Sequence, residues 1–449
     1  MCHHRIYQTA LILPGYILLL LLLNGCASYS QTHHSIQQSL FNHNPTRALE
    51  QLEKNSHSNN DLFLYHADKA ILLRMLGRYK ESNIEIEHAK KIIKKFSASS
   101  IIEEGAAFFI NDSTRVYIGS PVEQVMLHIY AALNYLELKQ TDSARVEILQ
   151  VDTRLRSFMQ SDPDSPFSFD PFARYLSGII YEDLGEWSDA MIAYRKAYEA
   201  YLAHQELYHI EIPGQLKESL ILMADMVGLK TERKKYEKMF KLKFTDLNAA
   251  QDKQSELIFT FHNGLAPIKK EHSMQMLAPA TGRFVRISLP AYYERNNRIS
   301  KLRIKIRDKD HYSTTTELTE NIGYLAIKTL EDHLPAITAR ALARAVAKDK
   351  IAKDSGEKNQ LFGLLINIAG VATERADTRS WLTLPDEIQT ARLNIPHGKH
   401  TLAIELLNDN NQIVAQKRIE NIQIDKNKKL YLSFHWIANG IEHGLTKQH

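Results

Sequence analysis

Apolar residues recur along this chain in three successive patterns. A nearly continuous apolar run covers residues 10–23, interrupted at Pro14-Gly15. From about residue 45 to 245 apolar positions return every three or four residues, the period of helices that bury one face. Beyond residue 256 the spacing falls to two, the mark of strands whose side chains alternate between faces.

The helical stretch repeats itself. Its best-formed unit reads Gly178-x-x-Tyr181-x-x-x-Gly185-x-Trp187-x-x-Ala190-x-x-x-Tyr194-x-x-Ala197, two antiparallel helices joined at Leu184-Gly185-Glu186. The frame returns as Ala70, Leu73, Gly77, Tyr79, Ser82, Ile86 and Ala89. It returns again as Ala132, Tyr135, Ala144, Ile148 and Val151, with Lys139 in place of the turn glycine. A partial copy lies at Ala48 and Leu52, in a helix over 45–54. This resembles the tetratricopeptide repeat (TPR), in which small residues let paired helices approach and aromatics fill the gaps between pairs. Ala48 and Ser82 stand one repeat apart, and insertions of about 28 and 12 residues lengthen the later spacings. A helix pair over 215–227 and 231–240 closes the array. Such an array carries a groove for protein segments, with Tyr181 and Tyr194 as candidate partner-binding residues. Tyr117 and Glu123, near Asn111-Asp112-Ser113 in the longer insertion, are further candidates, against the plainer reading that Asp112 or Ser113 caps a turn and Tyr117 plugs the groove.

Strands are expected over 256–262, which stops at Asn263-Gly264, over 284–289, closed by Pro290, and over 301–307. The last alternates strictly, with Lys301, Arg303, Lys305 and Arg307 on one face. That face is a candidate anion-binding strip or an ordinary solvated face. Residues 317–354 read as a long helix broken or kinked at Pro335, with a basic row at Arg340, Arg344 and Lys348 beside a stripe of Ala339, Ala343 and Ala347. Residues 361–371 form an apolar run too short to span a bilayer as a helix. In the loop over 376–385, Arg379 is placed to pair with a carboxylate, of a ligand, of Asp377 or of another acid, under Trp381. Strands over 391–395, 401–407, 412–419 and 429–437 read as a β meander, with Leu430, Leu432, Phe434 and Trp436 of the last alternating inward against Tyr431, Ser433 and His435. The expected fold is α+β: an N-terminal TPR-like α-solenoid (45–245), then a mixed β-rich domain (256–449). That domain has two or three helices and a C-terminal β meander forming a small sandwich-like unit, about 388–437.

Composition narrows the function classes. The 449 residues are 44% hydrophobic and 24% charged, which is globular rather than disordered. Lys+Arg exceed Asp+Glu only by 56 to 52, which argues against a nucleic-acid partner. The two cysteines, Cys2 and Cys26, leave the rest of the chain without disulfides, cysteine nucleophiles or cysteine metal ligands. No Walker A loop, Gly-x-Gly-x-x-Gly, Gly-x-Ser-x-Gly or His-Glu-x-x-His occurs, so no catalytic residue, metal ligand set or dissociable cofactor is assigned.

Arg5 and the apolar run match the charged and hydrophobic regions of a secretory signal over residues 1–25. The run ends in Leu23-Asn24-Gly25-Cys26, which resembles the bacterial lipobox and marks Cys26 for covalent lipid. Residues 26–44 read as a tether, and the absence of Asp after Cys26 points to the outer membrane, facing the periplasm. Together with the repeats, Asn263-Gly264-x-Ala266-Pro267-x-Lys269 and the 376–385 loop, the chain is similar to the uncharacterised tetratricopeptide-like outer-membrane lipoproteins of Gram-negative bacteria. The resemblance implies an envelope lipoprotein and no reaction. The expected function is a membrane-anchored scaffold or adaptor binding envelope proteins. The alternatives are a ligand-, glycan- or lipid-binding lipoprotein using the β-rich domain, and an unrecognised hydrolase.

Overall fold

The computed structural model describes residues 33–55, 57–97, 115–161, 170–208, 210–251, 255–277, 284–307, 309–358 and 375–437. Cys26, Asn111-Asp112-Ser113 and the 361–371 run lie outside them. The helical half comprises α1 (His34–Phe41), α2 (Pro45–Lys54), α3 (Leu62–Met75), α4 (Tyr79–Ser97), α5 (Pro121–Glu137) and α6 (Thr141–Ser161). It continues with α7 (Pro171–Asp183), α8 (Trp187–Tyr208), α9 (Gly214–Met226), α10 (Lys230–Phe240) and α11 (Phe244–Gln251).

Local chemistry sets the helix ends. Asn44 accepts a bond from Arg47 N at 2.9 Å ahead of Pro45, and Asp170 accepts one from Ala173 N at 2.7 Å ahead of Pro171. Ser120 and Glu123 form a reciprocal capping box on α5. Four hairpins, α3/α4, α5/α6, α7/α8 and α9/α10, turn in one way. Gly77, Lys139, Gly185 and Gly228 hold φ of +72°, +57°, +76° and +77°. After each, the next residue's N–H bonds back five positions, as from Arg78 to Leu73 O, Gln140 to Tyr135 O, Glu186 to Tyr181 O and Leu229 to Ala224 O. Lys139 thus takes the turn glycine's conformation with a side chain attached. Between paired helices, a Cβ on Gly178 would lie 2.3 Å from the Tyr194 ring, so only glycine fits there.

The second half contains β1 (Ser255–Asn263), β2 (Ile268–Leu277), β3 (Phe284–Tyr293), β4 (Lys301–Ile306), β5 (Lys309–Thr315) and β6 (Glu317–Asn321). Then follow α12 (Ile322–Lys358), β7 (Glu387–Ile395), β8 (Gly398–Leu407), β9 (Ile413–Ile424) and β10 (Lys429–Trp436). Two four-stranded sheets, ordered β10-β1-β7-β6 and β5-β4-β8-β9, share a core of Phe259 and Phe261 from β1, Leu302 and Ile304 from β4, and Leu402 and Ile404 from β8. The sandwich therefore draws on strands from both ends of the second half. The last four strands are not a meander: β7 and β10 lie in one sheet, β8 and β9 in the other, and β10 runs parallel to β1. The turn after β7, at Pro396-His397, carries the chain across the sandwich instead of back along the same sheet.

Other expectations shift. Residues 317–321 form β6, because pairing with β7 (Glu317↔Thr390) and the Thr319 hydroxyl bond to Ile388 O, 2.9 Å, override local helix preference. One helix, α12, then runs across Pro335, and it is the sole helix among the described residues of this half. Its close contact uses Ala341 and Ala345 against Val285 and Ile287 of β3, while Ala339 and Ala343 are exposed. Arg344 is accordingly buried on that side, not part of a solvated basic face. β3 continues past Pro290, which pairs with Glu271; with β2 as its one partner, its other edge needs no N–H from proline.

Candidate partner surface

The inner side of the helical array is occupied by this chain's own sheet. The first helix of each hairpin faces it. Arg74 of α3 bonds Ser433 of β10, Tyr130 of α5 lies 3.3 Å from His262 of β1, and Gly214 N at the start of α9 donates to Glu317 of β6 at 3.0 Å. The apolar core of the helices continues into Ile258, Ile322, Trp381, Ile388 and Tyr431. Strand β1 is therefore buried along its whole length, with Leu257, Phe259 and Phe261 toward the sandwich and Glu256, Thr260 and His262 toward the helices. In β10 the expected inward set, Leu430, Leu432, Phe434 and Trp436, packs on the sandwich, while Ser433 and His435 meet the helical side.

This seam carries buried charge. Arg392 of β7 bonds Glu256 at 2.5 and 2.9 Å and Glu182 of α7 at 2.8 and 3.3 Å; Lys429 of β10 bonds both acids as well. Burial opposes ionisation of Glu182 and Glu256, but the two cations outweigh it and hold both carboxyls below their usual range. Asp170, the cap of α7, and Glu320 of β6 form a second buried pair. Desolvation pushes both carboxyls upward, and for Glu320 the neighbouring Asp170 adds to it. The stacked His262 and His435 rings, 4.2 Å apart, are kept neutral by burial, which lowers both well below the usual imidazole value.

Half of the candidate residues from the sequence, Tyr117, Glu123, Tyr194, Arg379 and Trp381, sit in or beside this seam. Glu123 accepts from Tyr117 OH at 2.7 Å and from Trp381 N at 2.7 Å. Arg379 makes a two-point contact with Asp377 at 2.9 and 2.8 Å, adds Asp61 at 3.2 Å and Arg115 O at 2.8 Å, and lies over the Tyr117 ring. Tyr117, not Trp381, covers the guanidinium, and its carboxylates belong to this chain. Trp381 is 2% exposed. Tyr194 is fully buried, donates to Glu182 at 2.5 Å and meets Arg392, so it faces the sheet and not solvent. Tyr181 is half-buried against the helical core. On β4 the alternation holds, but Arg303 and Lys305 both bond Glu405 of β8, at 3.1 and 2.8 Å, which neutralises part of the strip. Lys301 is half-buried and Arg307 exposed beside them. Glu182, Glu256, Asp170, Glu320 and Arg392 carry no mark in the sequence that distinguishes them from other charged residues. A signal existed at Arg74, a cation ending the buried run Ala70-Ile71-Leu72-Leu73.

The outer side of the array is open. The second helices form it, joined by Lys90 of α4 to Glu147 of α6 at 2.9 Å and by Arg195 of α8 to Glu232 of α10 at 2.8 Å. Two places after the buried small residues Ser82, Ala144 and Ala190 stand Ile84, Val146 and Ile192, which are 56%, 54% and 47% exposed. One apolar side chain thus projects from the same frame position of three successive hairpins, and Leu149 stands beside the middle one. Between α4, α5 and α6 opens a cleft of about 570 Å³ lined by Lys90, Lys94, Ser97, His128, Gln150 and Arg154. Burial lowers the Arg154 pKa, and no carboxylate among the described residues pairs with it.

No protein-family profile matches the chain, and no curated protein matches it significantly. Solved structures similar to it include MamA (41-end) from Desulfovibrio magneticus RS-1, at 19% identity over 49% of this chain and 95% of that one, with a TM-score of 0.29. BtubC (BKLC) from P. vanneervenii matches at 15% over 49% and 76%, TM-score 0.31. The Rap conjugation gene regulator of the plasmid pLS20, in complex with the Phr* peptide, matches at 14% over 46% and 51%, TM-score 0.29. Likeness at these scores is too low to carry a function to this chain.

Proposed function

We propose that this chain is a lipid-anchored envelope adaptor that binds a protein partner on the outer face of its helical array. In this reading residues 1–25 direct export, Cys26 carries the lipid, and the protein stays at the outer membrane facing the periplasm. The lipobox-like Leu23-Asn24-Gly25-Cys26 supports the anchor. The observation that carries the adaptor reading is the exposed row Ile84, Val146 and Ile192, repeated in frame on an array whose inner face is already filled. Exposed apolar groups repeated at one frame position of successive hairpins suit a partner surface. Lys94 and Arg154, in the cleft between α4 and α6, would suit carboxylates on that partner.

Crosslinking in living cells, followed by purification of the acylated protein and mass spectrometry, tests this. One or two envelope proteins should be recovered in near-equal amount. They should be lost from the triple variant Ile84→Asp, Val146→Asp, Ile192→Asp, whose exposed substitutions leave thermal unfolding unchanged. Equal recovery by the triple variant, or recovery of the chain alone, overturns the adaptor reading. A clickable fatty acid should label the wild type and not Cys26→Ala; no labelling of either removes the anchor.

A further inference from the structure

His66 on α3 and Glu85 and His88 on α4 converge at one edge of the first complete hairpin. His66 Nδ1 lies 2.6 Å from Glu85 Oε2, and His88 Nδ1 lies 3.9 Å from the same oxygen. The donor atoms of all three lie within 4.8 Å of one another. We propose that this His66–Glu85–His88 cluster is a binding site for one divalent transition-metal ion of the zinc class, clipping α3 to α4.

The donor set fits that ion. Two imidazoles and one carboxylate are ligands that zinc accepts, with a fourth position left to water. Bonds near 2.0–2.1 Å in a tetrahedral site place neighbouring donors about 3.3 Å apart. The observed 2.6 and 3.9 Å bracket that value, so side-chain rotation within ordinary rotamer wells brings the donors into place without moving either helix. Glu85 and His88 are three apart on α4, a spacing that projects both side chains to one spot.

The surroundings orient the donors. Lys69 holds the other oxygen of Glu85 at 3.1 Å and is itself held by Glu53 at 3.1 Å, which leaves Oε2 for the metal. Burial opposes ionisation of Glu85, but the bonds from His66 and Lys69 prevail and keep it below the usual carboxyl range, in its ligating form. The His66 and His88 rings meet edge-on, 4.9 Å apart. His88 is 45% exposed, so an ion can enter from solvent. The ligand atoms must be free of protons to bind, so uptake of the ion releases protons and weakens in acid.

The test uses untagged full-chain protein in detergent, stripped with chelator and titrated with Co²⁺ as a visible probe, then with Zn²⁺ by calorimetry. The expected result is one equivalent, with the intense visible bands of a four-coordinate cobalt site. Zn²⁺ should displace the bands. His88→Ala, at an exposed position that leaves the helix intact, and His66→Ala should each weaken binding by more than roughly ten-fold. His272→Ala, at a distant exposed histidine, should leave it unchanged. Absence of binding, or binding that survives both His66→Ala and His88→Ala, overturns the proposal and leaves the cluster as an ion pair.

Discussion

Arg392→Met tests whether the buried charges hold the two halves of the chain together. Arg392, Lys429, Glu182 and Glu256 form a neutral set, with side chains only 8–13% exposed. Removing the arginine leaves one uncompensated carboxylate there and deprives Ser219 and Tyr194 of a partner at 2.9 and 3.3 Å. Breaking a buried pair on one side costs about 3–5 kcal/mol, and Lys429 still bridges both acids, so the loss should fall near the lower end, about 3 kcal/mol at neutral pH. In the wild type both carboxyls have folded pKa values below their unfolded ones. Their contribution is present above the unfolded value and lost only as pH falls through the depressed folded values. In the variant one carboxyl is pushed upward and takes up a proton, which relieves the cost in acid. The difference between the two proteins should therefore grow from pH 5 to 8, by up to about 1.4 kcal/mol per pH unit. Urea unfolding followed by circular dichroism at 222 nm and by tryptophan fluorescence, with Trp381 buried in the seam, reads both halves. The two midpoints should coincide in the wild type and separate in the variant. A loss under about 1 kcal/mol at pH 7.5, or a difference that does not change with pH, would refute the reasoning.

Two further outcomes follow from single residues. Lys139→Gly should stabilise the chain by about 1 kcal/mol, because Lys139 holds φ +57° where the other hairpins have glycine and its exposed side chain gives up only a surface ion pair with Asp425; a lower urea midpoint would contradict this. Asp386 is raised to about 7 by burial and by the neighbouring Glu387, so its contribution to stability is complete below the unfolded value and lost as pH rises toward 7. The loss is on the order of 4 kcal/mol, and Asp386→Asn should remove this part of the profile; parallel pH–stability curves for the two proteins would count against it.

Local pattern alone determined the hairpins, their turns and the alternation of β4. Helical period, small residues at Ser82, Ala144, Ala190 and Gly178, and turn residues at Gly77 and Gly185 are short-range features, and each acts on neighbours within a few turns of chain. The lipobox-like end at Cys26 is likewise a matter of adjacent residues. Tertiary structure decided what covers each face. A period of two or 3.6 marks the apolar face but carries no information on what packs against the other one, so Tyr194 read as a groove residue and Tyr431, Ser433 and His435 as outward. The contacts that bury them, Arg74 to Ser433 and Arg392 to Glu182, join residues hundreds of positions apart and leave no trace in local spacing. For the same reason residues 317–321 became a strand only because β7 lay beside them. The open face followed from the closed one: once the sheet fills the inner side, Ile84, Val146 and Ile192 stand on the side that remains.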